Sequence, residues 1–287
     1  MTSLTNKIDF AVLVTVKKAN PNGDPNNGNR PREDFEGYGE ISDVCIKRKI
    51  RNRLQDMGEK IFVQSDERCD DGFQSLNDRF KGYDLLQRAV KNKDGDAVYR
   101  LACEKWIDVR GFGQVMAFKA GGDSSSVSKG IRGPISIHPA YSVSTINSES
   151  MQITKSVNSE TKDKKSSDTM GQKHRVEFGL YVIKGSINCQ LAEKTGFSNE
   201  DAEKVKQALI TLFENDASSA RPEGSMEVRK VYWWKHNCKS GQYSTAKVHR
   251  SLHVTEKEGV TTPKSFDDYV ITIDELEGLP VEVYEGL

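Results

Sequence analysis

Two periods of apolar spacing alternate along this chain, and each change of period marks an element. Residues 8–16, IDFAVLVTV, form a short apolar run rich in β-branched residues, bounded by a turn-rich segment. That pattern predicts a buried strand. Ile46, Ile50, Leu54 and Met57 then recur at i, i+4, i+8 and i+11, one face of a helix. Ser42 or Asp43 supplies its cap and Gly58 its end. Strand patterns return at 176–188 and 225–235, separated by a helix over 198–216. Ser198 and Asp201 resemble a capping box at the start of that helix, and Ala202, Val205, Leu209 and Leu212 line one face. STAKVHRSLHV, 244–254, alternates and reads as a further strand, and WIDVRGFGQVMAFK, 106–119, as strand, glycine turn, strand. Residues 131–146 read as a strand broken by prolines and therefore near a sheet edge, after a loop over 121–130.

Two stretches escape this reading. Residues 64–105 are mixed and polar without a strong period. Residues 147–175 are nearly free of large apolar side chains, which predicts a disordered loop or a hairpin that leans on something else. With the 64–175 region set aside, the order is strand, helix, strand, strand, helix, strand. This is the α+β, ferredoxin-like pattern shared by RNA-recognition-motif domains, here carrying a large insertion.

Composition adds three constraints. The 287 residues allow a sizeable core, and 36% hydrophobic with 29% charged residues describes a globular chain with generous loops. Five widely spaced cysteines without a CxxC suit free thiols in a reducing compartment. The first apolar run is too short to span a bilayer and lacks a signal-peptide pattern, so the expectation is a cytoplasmic protein that does not contact membranes.

Net charge is zero, but charge is unevenly placed. Lys47, Arg48, Lys49, Arg51 and Arg53 crowd the polar part of the first helix, where Asp43 is the only acid between Ser42 and Gln55. An exposed helix normally interleaves glutamates for i,i+4 pairing. Cations without them suit phosphate contact. Directly upstream lies NPNGDPNNGNRPR, 20–32, a polar loop rich in asparagine, glycine and proline. RGFGQVMAF, 110–118, partly matches the RNA-recognition signature, with Gln114 and Ala117 where stacking aromatics belong. His236, Cys238, His249 and His253 have a zinc-like spacing, but on a strand residues four apart lie about 13 Å from each other, at about 3.3 Å per residue. No nucleophile, phosphate-loop or metalloprotease motif occurs, and no metal or cofactor is expected.

The loop plus basic helix resembles the backbone subunit of the type I-C CRISPR surveillance complex, the CRISPR-associated protein seven family. So do DVRGFGQVMAFK, GIRGPISIHPAYSV, QITKSVN, SDTMGQKHRVEFGLY and ARPEGSMEVRKVYWWKHNCKSGQYS, and the likeness spans about residues 8–255. It implies a single RNA-recognition-motif palm over 1–287 with a finger-like insertion at 64–146 and a thumb-like hairpin at 147–175. The acidic segment 263–287 carries no motif of the family. The resemblance further implies a non-catalytic protein whose copies stack along one CRISPR RNA. The guide bases stay open to pair with target DNA, and the other subunits are large, small and guide-processing ones. Residues expected at the RNA are Lys47, Arg48, Lys49, Arg51, Asn22 and Asn29, then Arg110, Gln114 and Arg132. On the thumb they are Met151, Lys155, Lys173 and His174. Two rival readings are enzymes: a metal-dependent endoribonuclease cutting target RNA through Asp24, and a guide-processing endoribonuclease using His174 or His138 as general base.

Overall fold

The computed structural model describes residues 2–119, 126–154 and 170–287. Its centre is an antiparallel sheet. The first half of the chain contributes β1 (Ile8–Ala19), the two-residue strands β2 (Gly23–Asp24) and β3 (Arg30–Pro31), β4 (Tyr38–Ile41) and helix α1 (Asp43–Asp56). Four helices follow: α2 (Leu76–Lys81), α3 (Asp84–Lys91), α4 (Gly95–Lys105) and α5 (Ile107–Phe112). Strands β5 (Gly113–Lys119), β6 (Ser126–Arg132), β7 (Ile135–Ile137), β8 (Ala140–Thr145), β9 (Ser148–Thr154) and the long β10 (Met170–Ile187) come next. The remainder is α6 (Cys189–Thr195), α7 (Asn199–Ile210), β11 (Met226–Lys235), α8 (Thr245–Ser251), β12 (Leu252–Glu256), β13 (Tyr269–Ile273) and β14 (Val281–Glu285).

The sheet runs β14-β11-β1-β10-β8-β4, with β7 and β9 also paired to β10. β1 is apolar without alternation because both of its faces are covered. Phe10, Val12, Val14 and Val16 pack with Ile46, Ile50 and Leu54 of α1 and with Val205 and Leu209 of α7. Ala11 and Leu13 pack on the opposite side with Tyr232, Trp234, Val248 of α8 and Leu252 of β12. Each such buried side chain contributes about 1.5–3 kcal/mol. A second cluster, built from Phe62, Phe80, Leu86, Val98, Trp106 and Met116 among others, holds α2–α5 and the β5–β6 hairpin together as a lobe with its own core.

The expected caps form: Ser42 Oγ accepts from Cys45 N, and Ser198 with Asp201 closes a capping box on α7. Four expectations are corrected. The 64–105 stretch contains three helices, too short and polar to show a period. Residues 107–112 are helical, so only Gly113–Lys119 is a strand, and it pairs with β6 outside the central sheet. Part of the expected 121–130 loop, Ser126 onward, is that strand β6. Residues 245–251 are a helix capped by Ser244, and strand begins only at Leu252. The acidic C-terminal segment supplies β13, which pairs with β12, and β14, which closes one edge of the sheet.

β10 outruns the sheet. Its last partner on β1 is the Ala19–Val176 pair, and Met170–Arg175 pair with β9. The result is a hairpin projecting beyond β1 at 148–154 and 170–175, with β3 lying beside it. Residues 155–169, Lys155 included, lie outside the described residues.

Candidate nucleic-acid interface

The 20–32 loop is built onto the start of α1 by its asparagines. Asn20 is buried, and its Nδ2 donates to the Asn29 carbonyl at 2.7 Å. Asn22 Oδ1 accepts from Ser42 N at 2.9 Å and from Ser42 Oγ at 2.8 Å. The Asn22 amide oxygen therefore braces the residue that caps α1, and the side chain stays half-buried. Asp24 caps a short 3-10 turn through Asn26 N and lies 3.6 Å from Arg32. Gly28 and Asn29 are both left-handed, at φ 58° and 60°, which folds the tip back on itself. Asn26, Asn27, Asn29 and Arg30 are left exposed there. Arg30 is an interface candidate that sequence reading passed over; it faces Asp24 across the β2–β3 pair, and an arginine beside Asn29 in a polar turn was the available signal.

The α1 cations were expected to lack acidic neighbours, and here the structure corrects the sequence reading most. Lys49 is buried and ion-paired with Asp216, which also accepts from Arg221 Nε at 3.3 Å. Burial pushes the Lys49 ammonium below its ordinary range, and Asp216 opposes that. Arg51 Nε donates to the fully buried Asp108 at 3.0 Å and its guanidinium sits 4.9 Å from the Phe112 ring. Arg53 pairs with Glu214 at 2.7 Å, and Lys47 with Asp43 at 2.9 Å. Arg48 is exposed, and among the described residues it forms no ion pair. A groove of about 410 Å³ opens beside it, lined by Cys45, Lys49, Asn52, Arg68 and Arg221 as well as by Asp66, Glu67 and Asp216. Two cations on the one carboxylate of Asp216 leave a positive charge at its floor.

The glycine motif at 110–113 has a structural role. Arg110 donates both Nε and Nη2 to Asp201, at 2.9 and 2.7 Å, and so joins α5 to the cap of α7. Gly113 adopts φ 86°, and a Cβ there would lie 2.3 Å from the Ile131 carbonyl. The close approach that needs glycine is thus made by the chain's own β6 backbone. Gln114 is half-buried on β5, while Arg132 is exposed opposite Gly113. On the projecting hairpin, Met151 and Lys173 are direct cross-strand partners and share one face with Ile153. His174 is buried, with Nδ1 2.8 Å from Ser150 Oγ.

The zinc-like histidines separate. His236 is buried against Asp9 at 2.8 Å, His249 is buried against the Gly185 carbonyl at 3.1 Å, and His253 is exposed beside Asp274. Although 245–251 is helical after all, no three His, Cys, Asp or Glu side chains converge as a metal set among the described residues. His138 is exposed and lies edge-on to the His249 ring at 5.8 Å. Desolvation lowers the His249 pKa, as do Lys184 and His138, while the Gly185 hydrogen bond and Asp9 oppose it. The folded protein thus holds this ring neutral where the unfolded chain protonates it at about 6.5. Stability should fall as pH drops through about 6.5 toward the folded value. Urea midpoints across pH 5–8 should decline less steeply in His249→Gln than in the parent; parallel curves would refute this assignment.

Comparison with known proteins decides the family. The sequence pattern of the family "CRISPR-associated protein Cas7" matches residues 6–274. This chain belongs to the Cas7 family. A "CRISPR-associated protein Cas7" from Haloferax volcanii is 26% identical over 293 residues, covering 96% of this chain and 83% of the relative. Two solved structures also align: one titled "CRISPR RNA-guided surveillance complex, pre-nicking" at TM-score 0.48 and 14% identity, covering 79% of this chain and 78% of the other, and one titled "CRISPR RNA-guided surveillance complex" at 0.44 and 16%, covering 89% and 78%. In this Cas7-family chain the match includes the 20–32 loop, α1, the helical lobe and the β9–β10 hairpin. Among the described residues no helix is long and apolar enough to cross a membrane.

Proposed function

We propose that this chain is a non-catalytic backbone subunit of a type I-C CRISPR surveillance complex, binding CRISPR RNA and stacking with further copies of itself. The observation that carries this reading is the family match across residues 6–274. The subtype rests on the motifs of the loop, the basic helix and the hairpin strand. Strand order β11-β1-β10 with β7 and β8 beyond, and α1 and α7 on one face, supports an RNA-recognition-motif palm. The α2–α5 lobe then serves as fingers and the β9–β10 hairpin as thumb.

The face where such palms usually stack bases is covered by α8 and β12, so contact falls to the loops and the hairpin. The backbone is gripped by Arg48, Arg30, Asn29 and Arg221 around the α1 groove, with Arg132 on the fingers and Met151 and Lys173 on the thumb. Guide bases left open would read target DNA by pairing, which asks the protein for phosphate contacts only. Large, small and guide-processing subunits complete the assembly. Asp24, engaged as a cap and beside Arg32, supports a structural rather than a hydrolytic role for its loop. Purification from cells carrying a CRISPR array should recover discrete guide-length RNA, stable in divalent metal. Empty protein, or RNA of random length and sequence, would overturn the reading.

A further inference from the structure

The strands β3 and β4 are joined by a turn that displays an aromatic ring to solvent. Phe35 is fully exposed, at 110% of its reference area, more than any other large apolar side chain among the described residues. The turn carrying it is fixed. Asp34 Oδ1 accepts from Glu36 N and Tyr38 N, each at 2.9 Å, and Gly37 N donates to the Asp34 carbonyl at 3.2 Å. Ile146 N donates to the Gly37 carbonyl at 2.9 Å, anchoring the turn to the end of β8. A turn held this way loses little further backbone freedom on binding, which favours association. Glu33 and Glu36 flank it, both exposed.

A complementary surface lies elsewhere on the same chain. A groove of about 470 Å³ is walled by Pro139, Tyr141, Val143, Val182, Leu252 and Val254, and Lys184 opens into it. No carboxylate lines this groove. The Lys184 ammonium is half-buried, and desolvation lowers its pKa with no acid to offset it. The larger cleft of about 690 Å³ beside Lys17, Lys18 and Lys264 fits an acidic visitor less well, because Glu177 and Glu256 already line it.

We infer that Phe35 of one copy plugs the Tyr141–Val182 groove of a second copy, with Glu36 meeting Lys184. Both halves of the match, apolar ring to apolar wall and acid to acid-free lysine, are present on this one sequence. The contact is directional, turn into groove, and where the turn and the groove of each copy engage different neighbours it propagates from copy to copy. It deepens the stacking proposed above and rests on that reading for its place in a complex.

The test uses the full chain on single-stranded RNA long enough for several copies, and on RNA short enough for one, followed by sedimentation velocity. Phe35→Ser and Tyr141→Thr both alter exposed side chains without adding charge, so thermal midpoints should stay close to the parent. Each variant alone should need at least tenfold more protein to stack on the long RNA, while binding the short RNA normally. Mixed together they should form pairs but no longer arrays, since one intact turn meets one intact groove. Glu36→Lys combined with Lys184→Glu should restore the stacking that either single charge reversal abolishes. Stacking by Phe35→Ser at parental concentrations would overturn the contact and leave the functional reading standing. Failure of the parent to bind either RNA, with Phe35-dependent association persisting in its absence, would overturn the functional reading and leave the contact standing.

Discussion

Asp108→Ala is expected to destabilise the fold by about 3–5 kcal/mol, the range for stripping one partner from a buried ion pair. The Asp108 side chain is wholly buried and accepts from Phe62 N at 2.8 Å, Val63 N at 3.1 Å and Arg51 Nε at 3.0 Å. It therefore ties three things together: the chain entering the helical lobe, α5, and the outer face of α1. Alanine removes the acceptor from two amides and leaves the Arg51 guanidinium facing an empty site beside the Phe112 ring. Asp108→Asn, which keeps one carbonyl oxygen but no charge, should fall between the two. Arg51→Glu should match or exceed the alanine variant, because it sets a carboxylate against a carboxylate. Equilibrium urea unfolding gives the comparison; a loss below about 1 kcal/mol for Asp108→Ala would show that the lobe is held to α1 by its apolar packing instead.

The same pair explains why the cations of α1 were easy to find in the sequence and hard to interpret. Their carboxylates come from far away: Asp108 is 57 residues from Arg51, and Asp216 is 167 residues from Lys49. A helix-face argument sees only i±3 and i±4 neighbours, so it finds Asp43 for Lys47 and Asp56 for Arg53 and neither of the distant partners. The strands and helices of the central sheet and its covering layer were legible for the opposite reason. β1, α1, α7 and β11 each have a period long enough to register, and α1 and α7 also carry their caps in the next few residues.

The helical lobe was not legible. Leu86, Ala89 and Val90 on α3, and Val98 and Ala102 on α4, do have helical spacing, but each run is two turns or three and most of its other positions are polar. In 244–254 the alternation was genuine and still misleading. Ser244 caps a two-turn helix whose inward side chains, Val248, His249 and Ser251, happen to include a period-two pair, and the strand takes over only at Leu252. The RGFG motif failed similarly: Gly111 and Gly113 serve the packing of α5 and the entry to β5, which the local pattern does not distinguish from a strand turn.

Arg48→Glu should weaken binding to single-stranded RNA by tenfold or more while leaving the thermal midpoint of the free protein nearly unchanged. Among the five cations between residues 47 and 53, Arg48 is the one the fold leaves exposed and without an ion pair among the described residues. A charge-assisted hydrogen bond to phosphate contributes about 1.5–3 kcal/mol, and reversal adds repulsion at the same point. The logarithmic dependence of affinity on salt should also fall, by about 0.7 for each phosphate of a single strand that the protein no longer neutralises. Lys49→Glu makes the necessary contrast. It places a second carboxylate against Asp216 in a buried site, so it should lower affinity only by unfolding the groove, and the decrease should track the fraction of folded protein. If Arg48→Glu bound RNA with parental affinity and salt slope, α1 would be an internal strut that merely carries a spare cation, and the grip would have to be sought at Arg30, Arg132 and the hairpin.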